Sequence, residues 1–371
     1  MSRILHIAKD EKFIDMGLNM FESVSSGNND LLILSNRDSL FYVKSKPHKI
    51  ISQKQLIKEA KEEGFWSDYR LVVIHSLFCS GFNIPSGIKV IWIGFGYDYY
   101  DLIGDYTSFL SEKTKEVYIN QKKLNSSIIS KVKNFKIIKH FRMLKKIRMI
   151  ERVDYFCPVL DVEYDLINWA KIKKPKLMDW NYGTYEDNWS VGSVTASGDK
   201  ILIGNSADIT CNHFDAIDLV SRLGMKNELV FPLSYGCNKY AQLVEDYVNE
   251  NYQGNANFLK EFLPINEYFS ILEECAYVIM PHKRQQGLGN IFIALSIGAK
   301  VFLDKENPIY TFLTSHNVHV FEIGELEKDS WKSRLTKDEI EENITFLKAY
   351  IGRDSMEVKT KALIDARKLI E

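Results

Sequence analysis

The amino-acid sequence predicts an α/β protein built from two doubly wound halves. Short runs rich in Val, Ile and Leu recur between helix-length amphipathic segments, as parallel strands alternate with crossover helices. The rhythm breaks once, in the polar and aromatic stretch 179–200 (DWNYGTYEDNWSVGSVTASGDK), and then restarts, which makes that stretch a domain linker. With 371 residues, 45% hydrophobic and 12% aromatic, the chain supplies two packed cores and excludes a disordered protein.

In the first half, strands are expected at 3–7, 30–34, 70–74, 89–93 and 154–158. Helical patterns lie between them, one through Phe13, Met16, Met20 and Phe21 and another over 56–63. Beyond the linker, strands are expected at 201–204, 229–232, 277–280, 300–303 and 319–323. Helices are expected at 212–223, 238–251, 266–274 and 289–297, with a last one from about 358 to 370. The organisation is therefore a Rossmann-like domain over 1–185, a second over 186–350 and a C-terminal helix over 351–371.

Composition narrows the function. The formal net charge is −1, from 48 basic and 49 acidic residues, so no global field recruits nucleic acid and any electrostatic partner is met by a local patch. Cys79, Cys157, Cys211, Cys237 and Cys275 are odd in number and lack C-x-x-C spacing, against both a disulfide framework and a structural zinc site. The start, MSRILHIAKDEKF, reads as a first strand rather than a leader, and no window approaches the roughly 20 apolar residues of a membrane span. A soluble or peripheral protein is expected.

Two motifs follow strands of the second half, where open α/β sheets bind ligands. In ILIGNSAD, Gly204 permits close backbone approach, while Asn205 and Ser206 offer donors near a helix start that favours anions. An ordinary strand-turn-helix has the same look. In YVIMPHKRQQGLGN, a polar loop carries Arg284, Gln285 and Gln286, and Gly287 and Gly289 open the next helix before Asn290. Backbone N–H groups, a helix dipole and a fork-shaped guanidinium then aim at one point, an arrangement suited to a pyrophosphate. The bland alternative is a solvated loop with two cap glycines. Glu306 and Asn307 follow the next strand; a carboxylate there suits a sugar hydroxyl, while Asn307 before Pro308 equally suits a helix cap. Tyr235, beside Gly236, lines the same edge or simply forms a turn.

In the first half, WIGFGYD delivers Asp98 to the ligand-binding edge, and His75 ends the preceding strand. Either is placed to deprotonate an acceptor hydroxyl, and each has an ordinary structural alternative, a helix cap for Asp98 and a satisfied core histidine for His75. Over 131–152, nine basic residues, including Lys139, Arg142, Lys145, Lys146 and Arg148, interleave with apolar ones, and Glu151 is the sole acid. That helix suits an anionic bilayer or a phosphate-rich ligand, or else a packed helix with a solvated basic face.

Together, ILIGNSAD, FPLSYG and the run from RQQGLGN through KVFLDKENP resemble the TDP-N-acetylfucosamine:lipid II N-acetylfucosaminyltransferases of enterobacterial common antigen synthesis, the 4-alpha-L-fucosyltransferases of glycosyltransferase family 56. The likeness covers most of 200–313; in the first half only the His75 segment and 92–98 are similar. It implies a GT-B fold with two Rossmann-like domains facing an interdomain cleft, the first holding the acceptor and the second the donor. It also implies a TDP-sugar donor, an undecaprenyl-pyrophosphate-linked acceptor, no cofactor, and an inverting, metal-independent transfer on the cytoplasmic face of the inner membrane. By that resemblance the donor is bound by Gly204, Asn205, Ser206, Arg284, Gln285, Gln286, Gly287, Gly289, Glu306 and Asn307, and Arg284 stabilises the leaving nucleotide. The chain departs from the family pattern at Ala207, Asn290 and Phe95, where the family tends to Gly, Thr and Trp. Another TDP- or UDP-deoxysugar transferase for O-antigen or capsule, a sugar-nucleotide epimerase and a non-catalytic nucleotide-sugar-binding partner are the alternatives.

Overall fold

The computed structural model describes residues 3–37, 39–77, 81–124, 132–190, 192 and 195–366; the side chains of 121–124, 132–139 and 265 are not among those described. Cys79, Lys131 and the side chain of Lys139 therefore lie outside the described residues. In chain order the elements are β1 (Arg3–Ala8), α1 (Ile14–Val24), β2 (Asn29–Leu34), β3 (Lys49–Ile51), α2 (Gln53–Glu59), β4 (Tyr69–His75), β5 (Lys89–Ile93), α3 (Tyr100–Ile103), α4 (Glu112–Leu124), α5 (Val132–Arg152), β6 (Tyr155–Cys157) and β7 (Lys176–Leu177). There follow β8 (Lys200–Ile203), α6 (His213–Arg222), β9 (Leu229–Pro232), α7 (Asn238–Asn251), β10 (Ala256–Leu259), α8 (Ile265–Glu273), β11 (Cys275–Met280), α9 (Leu288–Ser296), β12 (Lys300–Leu303), α10 (Pro308–Ser315), β13 (Phe321–Glu322), α11 (Lys337–Ile351) and α12 (Arg353–Asp365).

Two compact units result: Met1–Ile103 with Ser127–Thr184 and Ile351–Glu371, and Gly104–Ser126 with Tyr185–Tyr350. The first holds a seven-stranded parallel sheet in the order β3-β2-β1-β4-β5-β6-β7. Leu71 to Ile74 of β4 and Val90 to Ile93 of β5 are buried without alternation, because helices cover both faces of a parallel sheet. Trp92 is stacked on Phe156 with ring centroids 4.0 Å apart. Burial of each such side chain contributes about 1.5–3 kcal/mol. Helix α2 starts at a capping box in which Ser52 and Gln55 bond each other's backbone.

The second unit holds a six-stranded parallel sheet in the order β10-β9-β8-β11-β12-β13. Its core gathers Ile201, Ile203, Phe214, Ile217, Phe231, Val244, Ile279 and Phe302. The α/β class and the strands expected near β1, β2, β4, β5, β6, β8, β9, β11, β12 and β13 are present. The unforeseen strands, β3, β7 and β10, are short edge strands carrying Lys, Asn or Ala, which blunt an open edge and give little apolar signal.

The units cross the simple halves drawn from sequence. Residues 104–126 pack with the second unit: Asp215 at the start of α6 accepts the backbone N–H groups of Lys113 (2.8 Å) and Thr114 (3.0 Å). The C-terminal segment returns to the first unit. Its helix α12 begins at Arg353, packs on α1, and takes a 2.9 Å bond from Trp180 Nε1 on Thr360 Oγ1. The stretch 179–200 is no bare linker either, for Trp180 and Tyr182 are buried in the first unit and Tyr185 in the second.

Candidate functional site

In the second unit the chain leaves β8 toward β9 and β10, then crosses back to β11, β12 and β13, so the switch point lies between β8 and β11. A doubly wound sheet opens a crevice there, at the carboxyl ends of the strands. The two sequence motifs are the loops that follow those strands, and the fold brings them together. Gly204 sits at φ +70°, where a Cβ would lie 2.5 Å from His213 Nε2. Gly287 sits at φ +73° with its α-carbon facing Asn205, whose Cγ would meet a Cβ at 3.0 Å. A Cβ on Gly289 would strike the Trp189 ring at 2.6 Å. Gly287 thus lets the loops after β8 and β11 close on each other, Gly204 lets the end of β8 approach His213 of α6, and Gly289 lets the first turn of α9 approach Trp189.

Polar contacts fix this meeting point. Thr210 Oγ1 accepts Arg284 Nε–H at 3.0 Å, and lies 2.6 Å from Asp208 Oδ1 and 2.7 Å from Gln286 Oε1. Asp208 also accepts the Thr210 N–H (2.8 Å) and the Tyr106 O–H (3.3 Å). Asp208 thereby orients Thr210, and Thr210 orients the half-buried guanidinium. The Gln286 amide donates to Cys211 Sγ (3.0 Å) and Asn205 Oδ1 (3.4 Å), and Asn205 Nδ2 donates to Tyr235 Oη at 2.9 Å. Asn205, Ser206 and Gln285 are buried. Asn212, in a left-handed conformation that Asn tolerates, donates to Pro281 O (2.9 Å) and Phe109 O (3.1 Å) and accepts from Ser111 N–H (2.9 Å).

Beneath the loops stand two buried imidazoles, His213 and His282. Burial pushes each down to about 3, so both are neutral; beside burial, the nearby His213 ring and the Arg284 guanidinium also disfavour a proton on His282. His213 Nδ1 pairs with Tyr240 Oη at 3.0 Å. Gly287 gives α9 no side-chain cap, which leaves its first-turn amides for another acceptor. Lys283 pairs with Glu306 at 2.9 Å beyond β12. Asn307 is buried and accepts Ile309 N–H at 3.0 Å, so it caps α10 with Pro308 in the first turn, the ordinary alternative for that residue.

Sequence reasoning gave no role to Asp208 and Thr210, although both lie in or beside ILIGNSAD. A carboxylate followed two positions later by Thr, after a Gly turn, was their available signal. Tyr106 had none, because its segment lies about a hundred residues away and only the fold brings it in.

In the first unit the switch point lies between β1 and β4. His75 and Asp98 both reach this edge and both are internal. His75 is 1% exposed, 3.0 Å from His6 Nδ1 and 2.7 Å from Tyr182 Oη, and burial holds it neutral, well below the ordinary histidine range. Asp98 is 4% exposed and accepts from Leu77 N–H (2.7 Å), Trp92 Nε1–H (2.7 Å) and Phe95 N–H (2.8 Å). Burial raises its pKa against the pull of those three donors. Both its oxygens are occupied in fastening the loops after β4 and β5.

Helix α5 buries Met149 and Ile150, and Arg152 donates to Ile84 O, Pro85 O, Ile88 O and Asp154. Lys146 is paired with Asp101. Arg142, Lys145 and Arg148 are solvent-facing beside Phe141, which is 60% exposed, and Leu144. Among the described residues no helix is long and apolar enough to cross a membrane.

The model of a family described as 4-alpha-L-fucosyltransferase, glycosyl transferase group 56, matches residues 119–350. Solved structures share the whole fold at low identity. Sucrose-phosphate synthase from Thermosynechococcus elongatus has TM-score 0.61 at 11% identity, covering 99% of each chain. A trehalose-6-phosphate structure from E. coli bound with UDP-2-fluoro glucose has TM-score 0.56 at 10% identity, covering 100% of both chains. AviGT4, a glycosyltransferase involved in avilamycin A biosynthesis, has TM-score 0.54 at 8% identity, covering 100% of this chain and 99% of its own.

Proposed function

The chain belongs to the 4-alpha-L-fucosyltransferase family, glycosyl transferase group 56, and is a hexosyltransferase of GT-B fold; from that premise we propose its substrates and the residues that handle them. The donor is a TDP-linked acetamido-dideoxyhexose of the N-acetylfucosamine type, held by the second unit. The acceptor is an undecaprenyl-pyrophosphate-linked glycan, held by the first. Transfer is a single inverting displacement without a metal, at the cytoplasmic face of an anionic membrane.

One observation carries the donor assignment: the loops after β8 and β11 meet at the switch point around Arg284, which Thr210 and Asp208 orient. A diphosphate there accepts from the open amides of α9 and from the guanidinium, and both strengthen as charge builds on the leaving nucleotide. Gly204, Gly287 and Gly289 let the elements around the diphosphate pack closely, against His213, Asn205 and Trp189. Asn205, Ser206, Tyr235, Gln285, Gln286 and Asn290 supply further polar groups at this edge, with Glu306 for a sugar hydroxyl and Asn307 acting through the cap of α10. For the membrane, Arg142, Lys145 and Arg148 attract anionic headgroups while Phe141 and Leu144 enter the interface, a combination that stabilises surface docking of a helix.

Thermal shift with TDP, UDP and GDP tests the donor, since a ligand bound only by the folded state raises stability by linkage. TDP is expected to stabilise most. Incubation of TDP-N-acetylfucosamine with and without the undecaprenyl-linked acceptor tests the transfer. Equal stabilisation by all three nucleotides, or no sugar on the lipid, refutes the assignment.

A further inference from the structure

At the carboxyl edge of β1 stand two adjacent carboxylates with opposite surroundings. Asp10 is occupied: it accepts the backbone N–H groups of Phe41 (2.5 Å), Tyr42 (2.9 Å) and Val43 (2.9 Å), which fastens the segment after β2. Glu11 is half-buried, and its carboxylate accepts a single hydrogen bond among the described residues, from Tyr97 Oη at 3.3 Å. Tyr97 Oη lies 2.9 Å from Ser76 Oγ, so the phenol accepts from Ser76 and gives its one proton to Glu11.

That chain of contacts is built with strain. Ser76 is buried with φ +64°, a left-handed conformation costing an L-residue about 1–2 kcal/mol. Its neighbours hold it there: Ser76 N–H donates to Ile93 O at 2.8 Å, and the next N–H, of Leu77, is gripped by Asp98. A strained residue persists where the surroundings over-determine it, and here they aim its hydroxyl at Tyr97. Tyr97 itself is 49% exposed, so the Glu11–Tyr97 pair faces solvent at the switch point while His75 and Asp98 are sealed beneath it.

We propose that Glu11 is the general base of the transfer. Its carboxylate takes the proton of the acceptor hydroxyl as that oxygen bonds to the anomeric carbon. The bond from that carbon to the nucleotide diphosphate breaks in the same step, and its electron pair leaves with the diphosphate. The proton then passes from Glu11 to solvent. The inference rests on the reading of the chain as a transferase that holds its acceptor on the first unit. Burial raises the Glu11 pKa, and Asp10 and Asp98 add to that, while Tyr97 and Lys9 oppose it. A carboxylate so raised is the better proton acceptor at neutral pH.

Glu11→Gln keeps the shape and the bond from Tyr97 but removes the basic lone pair. In assays with TDP-N-acetylfucosamine and the undecaprenyl-linked acceptor, turnover is expected to fall by about a hundredfold or more, with the TDP-induced thermal shift unchanged. Glu11→Ala is expected to regain part of the rate when formate is added. Tyr97→Phe removes a bond that stabilises the carboxylate, so the acid limb of the pH–rate profile moves to higher pH. Transfer by Glu11→Gln within about fivefold of wild type overturns the inference and leaves the transferase reading standing. A wild-type chain that TDP does not stabilise and that leaves TDP-N-acetylfucosamine intact overturns the reading and the inference with it.

Discussion

Replacing Asp98 separates a residue that holds loops from one that moves protons. In Asp98→Ala, Leu77 N–H, Phe95 N–H and Trp92 Nε1–H all lose their acceptor in a site closed to water. Each buried donor left unpaired costs about 1–3 kcal/mol, so a loss of about 3 kcal/mol or more is expected even at the low end. Asp98→Asn keeps an oxygen for Leu77 and Trp92 but turns an NH2 toward Phe95 N–H, one mismatch worth about 1–3 kcal/mol. The pH dependence has a definite sign. The folded pKa of Asp98 is raised by burial, so folding favours its protonated form more than the unfolded chain does. Its contribution is fully present below the ordinary aspartate range and declines as pH rises through the folded value. The deficit of Asp98→Asn against wild type therefore grows on acidification. Denaturant unfolding followed by tryptophan fluorescence reads this, because Trp92 is buried against the carboxylate it serves. If Asp98→Asn unfolds at the wild-type midpoint at every pH while transfer is abolished, the positioning role is wrong and Asp98 is the base.

Gly204→Ala is expected to lose about 2–4 kcal/mol, from a left-handed φ of +70° and a Cβ placed 2.5 Å from the His213 ring that Tyr240 holds; thermal melts check this, and a loss below about 1 kcal/mol refutes the close-approach argument. Arg284→Ala is expected to leave the melting temperature unchanged and to lower turnover about a hundredfold, about 3 kcal/mol of leaving-group stabilisation; near wild-type activity makes Arg284 an ordinary loop residue. Replacing Arg142, Lys145 and Arg148 by Gln is expected to abolish co-flotation with anionic vesicles, each charge contributing about 1 kcal/mol before screening, and equal flotation with neutral vesicles refutes docking by charge.

The parts of the fold that the sequence made legible are those whose burial is continuous. Strands such as β4, β5 and β11 announce themselves because covered parallel strands are apolar on both faces. The segment Gly104–Ser126 is illegible in the same terms. Its place in the second unit depends on Asp215 and Asn212 accepting backbone N–H groups across about a hundred positions, and no local pattern records such a contact. The C-terminal helix is similar: what returns α12 to the first unit is its packing on α1, the Trp180–Thr360 bond and the 2.7 Å Lys359–Asp179 ion pair, none of which a periodicity encodes.

The candidate donor site was legible for a reason the first unit lacks. Its glycines and its polar triplet follow two strands that flank the crossover, so sequence order and spatial convergence coincide there. In the first unit, Glu11, His75 and Asp98 all lie at or shortly after strand ends, and position alone does not rank them. What ranks them is which backbone N–H groups the loops turn inward. Asp98 follows Gly96, whose left-handed turn brings Phe95 N–H onto the carboxylate, and the strained Ser76 brings Leu77 N–H onto its other oxygen. Asp10 is filled by the segment after β2 in the same manner. A carboxylate's availability is thus the remainder after the fold's own donors are counted, and by that count the residue left at the switch point is Glu11.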